Sequence, residues 1–244
     1  MLAIIGGSGL TQLSNLEVSR REVARTPYGE PSGALTFGLL AGAQVVFLAR
    51  HGHGHAIPPH KVNYRANLWA LQAHGATRIV SVASVGGIRA DLAPGDIVIP
   101  HQIIDYTWGR KSTYFDGEDG RVVHVDFTEP YDAALRMRLI AAAAKTGIAL
   151  KDGAIYAATQ GPRLETAAEI DRFERDGADV VGMTGMPEAV LARELGLPYA
   201  AINLVSNHAA GRGDSRTAIR FERLEAVQRE AMGRIRGMLE RLEE

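Results

Sequence analysis

Seven short apolar runs recur along the chain, at residues 3–5, 45–49, 79–83, 97–100, 154–158, 180–182 and 200–205, with Gly, Pro or Asp at or near their ends. Side chains alternate across a strand, so a strand that is apolar throughout belongs in a sheet covered on both faces. Between several of these runs lie stretches of helical period, at about 62–74, 132–146, 165–175, 186–195 and 215–242. In the last, Ile219, Leu224, Val227, Ile235, Leu239 and Leu242 form one apolar stripe. Gly75, Gly147, Gly177 and Gly196 each follow a helical stretch and suit the left-handed position just past a helix end. Strands alternating with helices predict an α/β fold: a central mixed, mostly parallel sheet flanked by helices. At 244 residues, 46% of them hydrophobic, the chain can bury a full core. With no repeat, linker or low-complexity tract, one domain over residues 1–244 is expected. The densest irregular stretch, 106–120, is expected to be a long functional loop.

Charge and cysteine content remove several function classes. A formal net charge of -1 argues against a surface built to neutralise a phosphate backbone, so no nucleic-acid partner is expected. The absence of cysteine excludes a disulfide framework and a thiolate metal site, and makes a cytoplasmic location the simpler expectation. The opening run, residues 1–7, is too short to span a bilayer and lacks the basic segment of a secretory signal. No membrane partner is expected, and this run is predicted to be the first strand.

Three segments invite chemistry. Gly6-Gly7-Ser8-Gly9 follows the first strand and could cradle an anion through backbone N–H groups and the Ser8 hydroxyl, or be a plain tight turn. It is not a dinucleotide fingerprint, because the third glycine would fall at Gln12 and no amphipathic helix opens behind it. Arg50-His51-Gly52-His53-Gly54-His55, with His60 nearby, could gather histidines around a metal. Without a carboxylate or a helical His pair beside them, no metal is expected, and Arg50 at a strand end is better suited to grip an oxyanion by its fork. Val82-Ala83-Ser84-Val85-Gly86-Gly87 closes the most apolar strand with small residues, where α/β sheets leave room for ligands.

Taken together, Ile4-Ile5-Gly6-Gly7-Ser8-Gly9-Leu10, Arg50-His51-Gly52, Lys61-Val62-Asn63-Tyr64, Pro94-Gly95-Asp96-Ile97-Val98-Ile99, Gly161-Pro162-Arg163 and Met183-Thr184-Gly185-Met186-Pro187-Glu188 resemble the trimeric purine-nucleoside phosphorylases, in their methylthioadenosine phosphorylase branch. The resemblance runs nearly end to end. It implies phosphorolysis of a purine nucleoside by inorganic phosphate as co-substrate, with no metal or organic cofactor and with a homotrimeric assembly. It implies that Ser8, Arg50, His51, Ser84 and Thr184 bind phosphate, that Met183 and Leu164 contact the nucleoside, and that His124 is lent to a neighbouring subunit's pocket.

At the base the sequence departs from the 6-aminopurine branch. Glu165 stands where that branch has a small hydroxyl residue, and Asn207-His208-Ala209 stands where it has two aspartates flanking one residue. A 6-oxopurine carries a ring N–H beside its carbonyl that the Glu165 carboxylate can accept, whereas adenine presents an acceptor there. The Asn207 amide can donate to the 6-oxo oxygen and accept the hydrogen gained by the departing imidazole nitrogen. Each also has a structural explanation: Glu165 as a charge at a helix start, Asn207 as a turn residue after a strand. At the sugar's 5′ end, the segment 217–221 offers Ile219 and no histidine, which favours a thioether over a hydroxyl. The expected reaction is therefore phosphorolysis of 5′-methylthioinosine to hypoxanthine and 5-methylthioribose 1-phosphate. The alternatives are an inosine and guanosine phosphorylase, a methylthioadenosine phosphorylase with Glu165 protonated, and a nucleoside-binding protein without turnover.

Overall fold

The computed structural model describes residues 1–117 and 120–242. Eleven strands form one sheet: β1 (Leu2–Gly6), β2 (Glu17–Glu22), β3 (Leu35–Leu40), β4 (Ala43–Ala49), β5 (Arg78–Gly87), β6 (Ile97–Ile99), β7 (Gln102–Asp105), β8 (Leu150–Asp152), β9 (Ile155–Ala158), β10 (Val180–Gly182) and β11 (Tyr199–His208). Five helices accompany them: α1 (Tyr64–Ala73), α2 (Ala133–Lys145), α3 (Ala167–Arg175), α4 (Gly185–Glu194) and α5 (Phe221–Glu240). All seven apolar runs become strands, and six of the ten strand pairings are parallel. The α/β fold with a mixed, mostly parallel sheet is thus observed.

Both sheet faces are covered, as continuous apolar strands require. Ala3, Ile5, Val46, Leu48, Ile79 and Ala201 face one core with Leu68 and Leu71 of α1 and Ala189 and Leu191 of α4. Their strand neighbours Leu2, Ile4, Val45, Phe47, Val80, Ala200 and Ile202 face the other, with Leu135 and Leu139 of α2 and Ile235, Met238 and Leu239 of α5. Each fully buried Leu or Ile contributes roughly 1.5–3 kcal/mol. The four glycines placed after helices all hold positive φ, between 67° and 93°.

Four strands carry no apolar run. β2 reads Glu-Val-Ser-Arg-Arg-Glu, an almost wholly exposed antiparallel edge whose charges discourage pairing with another chain. β3 is its antiparallel partner, and β7 and β8 are short and only partly buried. The last helix begins at Phe221 rather than residue 215, because Arg220 is extended (φ −96°, ψ 108°) and residues 213–215 form a separate 3-10 turn. Ile219 consequently lies on a loop, outside the helical stripe.

The sheet forks at β5. Its first residues pair with β1, its last with β10, and its other edge runs along β11 throughout. β1 and β10 thus diverge from one strand, leaving an opening beside residues 82–86. An opening at such a switch point is where α/β sheets place ligands.

Candidate active site

A cavity of about 450 Å³ occupies that opening, within the range of small-molecule sites. It collects strand ends: Ser8 beyond β1, Arg50 and His51 beyond β4, Ser84 on β5, Met183 and Thr184 beyond β10, and Asn207 at the end of β11. Leu164, Glu165 and Ile219 line it too. Ten of the eleven residues singled out from the sequence therefore share one cavity. The remaining one, His124, is exposed and lies outside it in the single chain.

At one end, the Gly6–Leu10 turn is packed against β4 and β5. A Cβ on Gly7 would lie 2.6 Å from the Val82 carbonyl oxygen and 2.7 Å from Arg50 Nη1, so only glycine lets the turn approach this closely. Ser8 Oγ is 2.8 Å from His55 Nε2, and Ser84 Oγ donates to the Ser8 carbonyl (3.3 Å) while accepting from Gln228 Nε2 (3.0 Å). Thr184 precedes α4 without capping it, and its backbone N–H donates to Tyr156 Oη at 3.2 Å. Its hydroxyl is therefore not engaged as a helix cap.

Arg50 is 0% exposed, and the use of its fork differs from expectation. Nε and Nη2 donate to the two carboxylate oxygens of Glu188 at 2.7 and 2.9 Å, Nη2 also to Ser81 Oγ (2.6 Å), and Nη1 to the Val82 carbonyl (3.1 Å). Glu188 takes a further hydrogen bond from Tyr199 (2.9 Å). The forked grip is on Glu188, and one Nη1 N–H is left for a ligand. Burial opposes the Arg50 cation, but Glu188's charge and hydrogen bonds outweigh it and hold the guanidinium above its ordinary value. The sequence reading gave Glu188 no role. Its one signal is a carboxylate in a helix otherwise apolar from Met186 to Ala192.

His51 is 5% exposed, with Nδ1 2.8 Å from the Ile57 carbonyl oxygen. Nδ1–H donates to that oxygen, so in the neutral ring Nε2 is an acceptor. Burial, and then the Arg50 cation, push the imidazole down to about 4. Above pH 6.5 both folded and unfolded chains carry neutral His51. As pH falls from 6.5 to about 4, the unfolded chain takes up a proton that the folded chain refuses, and stability is lost through that window. The full shift corresponds to on the order of 3 kcal/mol. Urea midpoints measured from pH 7.5 to 4.5 should fall more steeply for the wild type than for His51→Asn; parallel curves would contradict the buried neutral ring.

Glu165, also in the lining, sits one residue before the Thr166 cap of α3. Thr166 and Glu169 form the capping box, so Glu165 does not cap the helix although it stands beside its N-terminus. Its Oε1 accepts from Thr159 Oγ1 at 2.6 Å, and burial raises its carboxyl above the ordinary value. Asn207 Nδ2 donates to the His208 carbonyl (2.7 Å) and Oδ1 accepts from Ser206 Oγ (3.0 Å). One amide hydrogen and one oxygen lone pair remain for a ligand. Ile219, Phe221 and Leu224, with Ile57, Pro58 and Pro59, give the same cavity an apolar wall. His208 Nδ1, 2.5 Å from Asp214 Oδ1, ties the 213–215 turn to the end of β11.

The irregular 106–120 stretch, of which residues 118–119 lie outside the described residues, braces the pocket through Arg110. This guanidinium donates to the carbonyls of Thr159 (3.1 Å), Gln160 (2.8 Å), Met183 (2.8 Å) and Met186 (2.6 Å), tying the loop before Glu165 to the turn holding Met183 and Thr184. Nothing local in the sequence marks it. Among the described residues no three His, Asp or Glu side chains converge as a metal site, and no helix is long and apolar enough to cross a membrane.

The cavity thus brings together donors for an anion, a carboxylate, a half-free amide and an apolar wall. The chain is 53% identical over 240 residues to a Pseudomonas syringae pv. tomato protein named "Probable S-methyl-5'-thioinosine phosphorylase", covering 98% of this chain and 97% of that one. It is 49% identical over 215 residues to the 6-oxopurine nucleoside phosphorylase of Pyrococcus furiosus, covering 86% and 80%. The methylthioadenosine phosphorylase of Schistosoma mansoni, solved in complex with adenine, superposes with a TM-score of 0.94 at 33% identity, covering 99% of this chain and 90% of that one. The family description that matches residues 1–243 is the Phosphorylase superfamily, and it is to this superfamily that the chain belongs.

Proposed function

We propose that the protein cleaves 5′-methylthioinosine with inorganic phosphate, giving hypoxanthine and 5-methylthioribose 1-phosphate. The observation that carries this reading is Glu165: a carboxylate held by Thr159 in the cavity lining, with the half-free Asn207 amide lining the same cavity. In this reading the base ring N–H donates to Glu165, the 6-oxo oxygen accepts from Asn207 Nδ2, and the apolar wall at Ile219 and Leu224 takes the methylthio group. Ser8, Ser84, Thr184 and the remaining Arg50 N–H hold the phosphate dianion, while the His51 Nε2 lone pair suits its single P–OH. A phosphate oxygen bonds to the anomeric carbon as the glycosidic C–N bond breaks. The bonding pair leaves with the base, and the phosphate proton ends on the imidazole nitrogen facing Asn207 Oδ1. Anion contacts beneath the anomeric carbon stabilise the oxocarbenium-like transition state.

No cofactor enters this scheme. A single domain over residues 1–244 carries it, as a cytoplasmic homotrimer in which His124 of a neighbouring subunit completes the sugar end; exposure of His124 in the single chain accords with that arrangement.

Base release from methylthioinosine, inosine and methylthioadenosine, with and without phosphate, tests the proposal. A kcat/KM for methylthioinosine at least about tenfold above the others, vanishing without phosphate, is the expected result. Preference for inosine would reassign the apolar wall, and preference for methylthioadenosine would reassign Glu165. No turnover of any would make this a nucleoside-binding protein.

A further inference from the structure

Thr159, buried just beyond β9, has two acceptors within reach of its hydroxyl: Glu165 Oε1 at 2.6 Å and the Gly182 carbonyl at 3.3 Å. A hydroxyl has one hydrogen to give and lone pairs to receive. When Glu165 is ionised, the hydroxyl donates to Oε1. When Glu165 is protonated, the hydroxyl can turn to Gly182 and accept the carboxyl hydrogen from that same Oε1. In both states Oε1 and the Thr159 hydroxyl are hydrogen-bonded to each other, and in both Oε2 is an acceptor. Among the described residues, no side chain besides Thr159 hydrogen-bonds Glu165.

We infer that Thr159 is a specificity-determining residue that keeps the carboxyl proton of Glu165 on the oxygen away from the base, so that the base meets an acceptor whether or not Glu165 is charged. The inference rests on the proposed contact between Glu165 and the base. It solves a problem that burial creates, since the raised carboxyl protonates at less acidic pH than a free one. A freely turning carboxylic acid would then offer its O–H to the ring nitrogen of a 6-aminopurine, and discrimination would fail. The other charged or titratable groups around Glu165 are Arg163 and Glu169, which pair with each other, and Tyr106 and Arg172 across the adjoining cavity. On the substrate side are Arg50, His51 and His55, at the phosphate end. None of them hydrogen-bonds the carboxyl, and Glu165's own backbone N–H can only donate to it, so Thr159 is the side chain that can receive its proton.

The test measures kcat/KM for methylthioinosine and methylthioadenosine from pH 5.5 to 8 in the wild type, Thr159→Val and Thr159→Ser. The wild-type ratio should be flat with pH. In Thr159→Val it should fall by about tenfold toward pH 5.5, the scale of one hydrogen bond to a charged group, because the 6-amino substrate gains as the 6-oxo substrate loses. Thr159→Ser, which keeps the hydroxyl, should restore the flat ratio. Thr159→Ala, read by the pH dependence of hypoxanthine and adenine Kd, serves if the valine variant does not fold. A flat ratio in the valine variant, or a serine variant that tilts like valine, would overturn the inference. A wild type with no preference for the 6-oxo substrate would instead overturn the Glu165 contact itself.

Discussion

Arg50→Met will lose phosphate-dependent turnover and about 3–5 kcal/mol of folding stability together, the cost of leaving a buried carboxylate without its partner. Arg50 and Glu188 are both fully buried, and each satisfies the other's charge. A surface arginine could be removed at little structural cost; this buried one cannot. Removing both partners separates the two roles. Arg50→Met with Glu188→Met replaces an ion pair by apolar side chains of similar length, an exchange that is often neutral or stabilising. The double variant should therefore recover most of the urea midpoint while its kcat/KM for phosphate stays at the single variant's level. A stable single variant would show that Glu188 tolerates protonation in the core. Turnover in the double variant would remove Arg50 from the phosphate site.

Arg50 also marks the limit of what the sequence discloses. The residues expected to touch ligand were legible chiefly through the motifs that resemble the purine-nucleoside phosphorylases, and six of them also lie close behind an apolar run or a glycine, where α/β sheets leave room for ligands. Ser8, Arg50, Ser84, Met183, Thr184 and Asn207 converge by that rule. The residues that hold them in place were not legible. Glu188 lies 138 positions from Arg50, and Arg110 reaches carbonyls 49 to 76 positions away. Such pairings depend on three-dimensional register, which no local period or spacing encodes. Thr159 follows the 154–158 run, and only its 2.6 Å contact with Glu165 gives its hydroxyl a task. β2 escaped for a different reason: a charged edge strand has no buried face to imprint an apolar pattern.

The proposed contacts of Glu165 and Asn207 with the base yield the second large effect. Glu165→Ser combined with Asn207→Asp should reverse the preference between 6-oxo and 6-amino substrates, moving their kcat/KM ratio by on the order of 10³–10⁴. A serine hydroxyl can donate to the bare ring nitrogen of adenine, and an aspartate can accept from its amino group, whereas that aspartate faces the 6-oxo oxygen with like charge. Neither change suffices alone. Glu165→Ser leaves the Asn207 amide hydrogen opposed to the adenine amino group, and Asn207→Asp leaves Glu165 opposed to its ring nitrogen. The four-protein cycle should accordingly be strongly non-additive, as expected for two groups reading one ring. Absolute rates should fall in the double variant, because Asn207 Nδ2 now donates to the His208 carbonyl at 2.7 Å and an aspartate oxygen would be repelled there. That loss follows from the backbone and burdens both substrates alike, so it lowers each kcat/KM without moving the ratio. A double variant that still prefers the 6-oxo substrate would place base recognition on residues other than these two.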